Sequence, residues 1–151
     1  MDKKLYIAYG SNLNRGQMAS RCPTARILGA SEMKDYRLLF RGTRSGAVAT
    51  VEPFKGGSVP VLVWEVTAAD EAALDQYEGW PYLYRKKTVQ LKLNRKSIKA
   101  FVYIMNEGRE LGQPGSYYYS AILEGYRDAG FQTDILRQAE DDSSVTEEAY
   151  G

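Results

Sequence analysis

The chain contains no histidine and a single cysteine, Cys22, in 151 residues. The missing imidazole excludes Ser-His-Asp and Cys-His nucleophile pairs and every His-ligated metal site. One thiol can form neither an intrachain disulfide nor a thiolate metal cluster. Residues 1–12 hold no signal-peptide apolar run, and together with the lone cysteine this sets the expectation of a reducing, cytoplasmic setting. Charge of one sign is lacking too: 20 Lys and Arg stand against 19 Asp and Glu, a net charge of +1. Bulk electrostatics therefore give no reason to expect a nucleic-acid or membrane-surface partner. No apolar stretch approaches the length of a membrane span. Chemistry in this chain must run on carboxylates, hydroxyls, phenols, lysines or backbone amides, and no metal or cofactor is expected.

What is present is an ordinary globular composition, 44% hydrophobic and 26% charged. A chain of this length fits one domain and buries about two-thirds of the surface it would expose unfolded. We expect that domain to span residues 1–139. Residues 140–151 are acidic and polar and read as a disordered tail. Twelve tyrosines are suited to the core boundary and to lining a pocket.

Residues 3–9 read as a strand by alternation, broken by Gly10-Ser11-Asn12. A short helix is expected over 15–21, and 26–41 is extended. Residues 47–51 form a small-residue strand, 54–58 a hairpin-like turn, and 59–66 an apolar run that suits a strand buried on both faces. Thr67 with Asp70 three residues on begins a helix. That helix should turn Leu74 and Tyr77 inward and stop at Gly79-Trp80-Pro81. Two strands, 82–93 and 97–105, follow around a turn at Asn94. A helix is expected to start at Pro114-Gly115-Ser116 and run to about Ala129 with Gly130 just past its end, then a shorter one over 133–139. The central strands are not separated by crossover helices. This points to an α+β class: a curved, mainly antiparallel sheet forming a small barrel or roll, with two to three flanking helices.

Two places could carry chemistry. In Tyr9-Gly10-Ser11-Asn12-Leu13, successive N–H groups at a strand end could form a concave site for a carboxylate or oxyanion. Gly10 would allow close backbone approach, and Ser11 and Asn12 would add side-chain hydrogen bonds. Read locally, Gly-Ser-Asn is equally ordinary turn chemistry. Glu78 ends the helix that carries Asp75. There a carboxylate faces the negative end of the helix dipole, and apolar neighbours would desolvate it. Both effects raise its pKa toward the range useful to a general acid and base. An exposed glutamate at a frayed helix end is the alternative. Asp75, Lys86 and Lys87 read as solvated positions and Cys22 as a packing residue. Tyr117, Tyr118 and Tyr119 open a helix and must point in different directions.

In order along the chain stand Tyr6-Ile7-Ala8-Tyr9-Gly10-Ser11-Asn12-Leu13, Asp35-Tyr36-Arg37-Leu38-Leu39-Phe40 and Gly46-Ala47-Val48-Ala49-Thr50-Val51. Leu74-Asp75-Gln76-Tyr77-Glu78-Gly79 follows, then Tyr84, and finally Pro114 with Tyr118 and Ile122. This set resembles the γ-glutamyl cyclotransferase superfamily over residues 4–131. The resemblance implies a mixed α/β roll around a small barrel, and closure of a γ-glutamyl amide to 5-oxoproline and a free amine. It implies a catalytic Glu78, a substrate loop over Tyr9, Gly10, Ser11, Asn12 and Leu13, and supporting tyrosines at Tyr84 and Tyr118. Val61 stands where the family often has glycine, and Tyr117 where it more often has a non-aromatic residue. The implied partner is a small γ-glutamyl amide. Such a substrate carries its own nucleophile, so the reaction suits a chain without histidine, metal ligands or a reactive thiol. A non-catalytic binding module of the same fold, or ring closure on a carrier-protein-bound γ-glutamyl group, are the other readings.

Overall fold

The computed structural model describes residues 3–144. The elements run β1 (Lys4–Ala8), α1 (Arg15–Arg21), β2 (Arg26–Gly42), β3 (Val48–Val66), α2 (Ala68–Glu78), β4 (Tyr84–Leu93), β5 (Lys96–Met105), β6 (Glu110–Leu111), α3 (Ser116–Ala129) and α4 (Thr133–Asp142), with a 3-10 turn over Ser11–Leu13. The strands form one sheet in the order β4-β5-β1-β3-β2-β6. All its pairings are antiparallel except β1 with β5, where Tyr6 lies beside Phe101. The sheet curls until β2 approaches β4 across the opening. The Ser31 hydroxyl donates to the Lys92 carbonyl, and Lys87 Nζ donates to the Tyr36 hydroxyl at 3.2 Å. The expected α+β class and curved, mainly antiparallel sheet are borne out, with four α-helices among the described residues rather than two or three.

β3 shows how composition builds this shape. Val61, Leu62, Val63 and Trp64 are all buried, as a run apolar on both faces requires. β1 pairs with it from Lys4↔Val66 to Ala8↔Leu62. The strand ladder thereby aims the end of β1 and the loop after it across the inside of the curl.

Residues 54–58 do not form the expected hairpin turn. They lie within β3, a strand of 19 residues. The pairing slips between Lys34↔Ser58 and Tyr36↔Pro53, so the extra residues of β3 form a bulge opposite Asp35. Asp35 (φ 65°) and Gly56 (φ 84°) take left-handed conformations, and the Gly56 N–H donates to the Asp35 carboxylate at 2.9 Å. A bulge bends and twists a strand pair without ending it, so glycines that read as a turn serve here as a bend.

Residues 140–144 are not a disordered tail. α4 continues through Asp142, and Ser143 is fully buried. The Ser143 hydroxyl donates to the Ala139 carbonyl at 2.7 Å and accepts the Phe40 N–H at 2.8 Å, tying the end of α4 to β2. Polarity alone hid this, because the buried Leu136 and Ala139 give α4 an apolar face. The rest of the expected tail, 145–151, lies outside the described residues.

Candidate active site

α2 starts and stops by clear local chemistry. The Thr67 hydroxyl accepts the Asp70 N–H, and the Asp70 carboxylate accepts the Thr67 N–H, which completes a capping box. At the other end Gly79 takes the left-handed conformation (φ 67°), where a Cβ is unfavourable, and returns its N–H to the last turn. Leu74 is fully buried as expected. Tyr77 is not turned inward: it is 43% exposed, and its hydroxyl hydrogen-bonds the Ser11 Oγ at 2.9 Å. Tyr77 therefore lies against the loop rather than the core, and Glu78 is the last helical residue.

Glu78 opens into a narrow cleft lined by Tyr6, Tyr9, Gly10, Ser11, Asn12, Ala49, Tyr84, Tyr103 and Tyr118. Burial pushes its carboxyl pKa up to about 7, against the opposing pull of the Arg21 guanidinium. Among the described residues Glu78 forms neither a hydrogen bond nor an ion pair. Its oxygens remain free for a ligand.

Two of the phenols around it are held by one residue of β3. Tyr84 Oη donates to the Ala49 carbonyl at 2.6 Å, and the Ala49 N–H donates to Tyr118 Oη at 2.9 Å. Tyr9 Oη donates to the Tyr103 carbonyl at 2.6 Å. Burial holds Tyr6, Tyr9, Tyr84 and Tyr118 above the usual phenol range, with the negative charge of Glu78 adding to the rise. They are neutral at physiological pH. Glu78 is thus the group in the cavity that titrates near neutrality.

Gly10 brings the loop backbone against this cluster. A Cβ there would stand 3.2 Å from the Ala49 Cβ and 3.7 Å from Tyr118 Oη. The 3-10 turn satisfies the Leu13 and Asn14 N–H groups with the Gly10 and Ser11 carbonyls, each at 3.0 Å. The leading N–H groups, at Ser11 and Asn12, have no partner within the turn. Asn14 anchors the turn to α3, donating to the Ala121 carbonyl at 3.0 Å and to Glu124 Oε2 at 2.9 Å.

The structure brings together Tyr9, Gly10, Ser11, Asn12, Glu78, Tyr84 and Tyr118. Leu13 is apart from them: it is fully buried in the core, and its N–H is spent on Gly10. Tyr117 is 83% exposed while Tyr118 lines the cavity, so the tyrosine run does diverge. Asp75 and Lys86 are half-buried and paired rather than freely solvated. Lys86 Nζ lies 2.8 Å from Asp75 and 2.7 Å from Glu71, and the Tyr103 hydroxyl donates to Asp75 at 2.5 Å. Cys22 is buried, and burial raises its thiol to about 11, which suits a packing residue.

Four contributors went unread in sequence: Tyr6, Ala49, Tyr103 and Arg21. Tyr6, Ala49 and Tyr103 line the cavity from three separate strands, and Arg21 of α1 acts on Glu78 through its charge. Only the pairing of Arg21 with Gln17, one helical turn apart, has a local signature.

The γ-glutamyl cyclotransferase, AIG2-like family model matches residues 6–121. The bovine γ-glutamylcyclotransferase is 32% identical over 144 residues, covering 89% of this chain and 76% of the relative. The human protein of that name is 27% identical, covering 83% and 71%. A solved γ-glutamyl cyclotransferase structure superposes with a TM-score of 0.82 at 24% identity, covering 99% of this chain and 96% of the other. A yeast γ-glutamyl cyclotransferase specific to glutathione shares the fold more distantly, with a TM-score of 0.63 at 11% identity over 93% and 97% of the chains. On the family match and the bovine relative, this chain belongs to the γ-glutamyl cyclotransferase, AIG2-like family.

Proposed function

We propose that the chain closes γ-glutamyl amides to 5-oxoproline with release of an amine, and that Glu78 transfers the protons. One observation carries the assignment of Glu78: it is an unpaired carboxylate in a cavity of neutral phenols, titrating near pH 7. The substrate α-nitrogen attacks its own γ-carbonyl carbon, forming the ring C–N bond. The amide C–N bond then breaks as the tetrahedral intermediate collapses. The ionised Glu78 takes a proton from the α-ammonium and returns it to the departing nitrogen. A group that titrates near the working pH suits both halves of that exchange. Holding amine and carbonyl in attack geometry supplies on the order of 7–11 kcal/mol in well-oriented intramolecular reactions.

The free N–H groups at Ser11 and Asn12 would bind negative oxygen, either the substrate α-carboxylate or the oxyanion of the intermediate. Tyr84 and Tyr118 hold Ala49 from both sides, and so set the wall against which the γ-glutamyl group lies. Leu13 acts through packing behind the loop.

We place the enzyme in the cytoplasm, a reading supported by the free, buried thiol of Cys22. Among the described residues no helix is long and apolar enough to cross a membrane.

The direct test is 5-oxoproline release from γ-glutamyl amino acids, γ-glutamyl-ε-lysine and glutathione. Release from at least one substrate, ranked by leaving group, is the expected result. Binding of the panel with no 5-oxoproline would instead make the domain a binding module or point to a carrier-bound substrate.

A further inference from the structure

The Arg21 guanidinium meets three groups at once. Nη1 donates to Asn12 Oδ1 at 2.6 Å, and Nη2 donates to Gln17 Oε1 at 2.8 Å. Its central carbon lies 3.6 Å from the centroid of the Tyr77 ring. Asn12 belongs to the loop with the free N–H groups, and Tyr77 directly precedes Glu78 in α2. One rigid, planar cation thus joins α1, the loop and the end of α2.

The contact with Asn12 also has a direction. Arginine only donates, so the Asn12 amide must present its oxygen to Arg21 and its nitrogen elsewhere. Asn12 Nδ2 donates to the Tyr6 hydroxyl at 2.9 Å. With its oxygen accepting that bond, Tyr6 keeps its own proton to donate into the cavity it lines with Glu78. The relay runs from Arg21 through Asn12 to Tyr6, and hydrogen bonds in such a chain polarise one another.

We propose that Arg21 is a positioning residue for the cyclotransferase reaction: it locks the substrate loop to the catalytic helix, and through Asn12 it turns the Tyr6 hydroxyl toward the reacting group. The proposal rests on the reading that Glu78 is the acid and base.

The groups facing Glu78 from the packed elements are Tyr6 of β1, Tyr9 just after it, Tyr84 of β4, Tyr118 of α3, and Arg21 of α1. The phenols stay neutral across the working range. Arg21 supplies the positive charge, and it acts to keep part of the Glu78 population ionised. Lysine could replace the charge. It could not hold Asn12 and Gln17 in a fork while lying flat on Tyr77.

The test compares the intact protein with Arg21→Met and Arg21→Lys by two readouts: the pH dependence of kcat and KM, and the Glu78 carboxyl titration followed by ¹³C NMR. In Arg21→Met we expect kcat to fall by about tenfold or more, as for loss of a group that orients a general base. The acidic limb of the rate profile and the Glu78 midpoint should rise together by about one unit. Arg21→Lys should bring the midpoint back but leave kcat low. A Gln17→Leu variant, which keeps the charge and removes one acceptor, should lower kcat with the Glu78 midpoint unmoved; it also serves if Arg21→Met does not fold. An unchanged kcat in Arg21→Met or in Gln17→Leu would overturn the proposal, as would a Glu78 midpoint in Arg21→Met equal to that of the parent. The titration does not depend on turnover. A Glu78→Gln variant with full activity would therefore fail the reading of the reaction, separately from the role of Arg21.

Discussion

At the N-terminus of α2, Asp70 accepts the Thr67 N–H at 3.0 Å and the Thr24 hydroxyl at 2.7 Å. Glu71 beside it pairs with Lys4 at 3.0 Å and Lys86 at 2.7 Å. Burial opposes ionisation at both, but Thr24 and Thr67 hold Asp70 below the usual carboxylate range, and Lys86 and Lys4 do the same for Glu71. At the C-terminus of the same helix Glu78 has burial without the partners, and its pKa rises to about 7. The helix dipole favours the first pair and opposes the last. Carboxylates of one helix therefore serve opposite ends: those at the start stabilise the fold when charged, and the one at the end costs stability when charged and is free to react.

The sharpest way to break this comparison is to neutralise each end in turn. Glu78→Gln should cut 5-oxoproline formation by about 10²–10⁴-fold, the usual contribution of a general acid–base group, with the fold retained. Its effect on stability should have the opposite sign. The folded pKa of Glu78 lies above its unfolded value, so ionisation penalises the folded state fully above about pH 7 and not at all below about pH 4.5. At pH 8 the variant should be more stable than the parent by roughly 1–3 kcal/mol in urea unfolding, and the gain should vanish in acid. A variant destabilised at pH 8 would contradict the account of the C-terminal end.

Asp70→Ala should cost about 1–2 kcal/mol at neutral pH, through loss of the capping box and the Thr24 bond. The folded pKa of Asp70 is depressed. Its contribution is present above the unfolded value and lost as pH falls through the carboxylate range, so parent and variant should converge in acid. Turnover per folded molecule should not change, which separates the structural end from the reactive one.

Tyr84→Phe should show a smaller effect, about 1 kcal/mol of stability or a severalfold loss in kcat/KM. It removes one of the donors on the Ala49 carbonyl and leaves Glu78 in place. The smallest effect is expected from chelators. Among the described residues no group of three or more His, Cys, Asp or Glu side chains gathers to hold a metal ion, and the proposed mechanism assigns the proton transfers to Glu78. EDTA should leave the rate unchanged, and inhibition reversed by added metal would contradict the mechanism.

The two ends of α2 also differ in how far they could be read from sequence. The capping box at Thr67 and Asp70 and the stop at Gly79 are local chemistry, and they stand where the spacing put them. The apolar run of β3 likewise announced a doubly buried strand. Signals that depend on distant partners were misread. The glycines near residue 56 look like a turn until Asp35 is placed opposite them. Tyr77 looks inward-facing until the loop supplies Ser11 and α1 supplies Arg21. Lys86 and Asp75 look solvated until β4 is laid beside α2. The position of Glu78 at a helix end was legible. Its isolation among phenols was not, because Tyr6, Tyr9, Tyr84, Tyr103 and Tyr118 converge only when the sheet curls.

The central claim is that Glu78 titrates near neutrality in the folded protein and that this titration governs turnover. The most direct measurement is the pH midpoint of its carboxyl by ¹³C NMR, beside the pH dependence of kcat/KM on the best γ-glutamyl substrate. The account predicts a Glu78 midpoint near pH 7 that coincides with the acidic limb of the rate profile. A Glu78 that titrates in the ordinary carboxylate range, with a rate profile that does not follow it, would contradict the account.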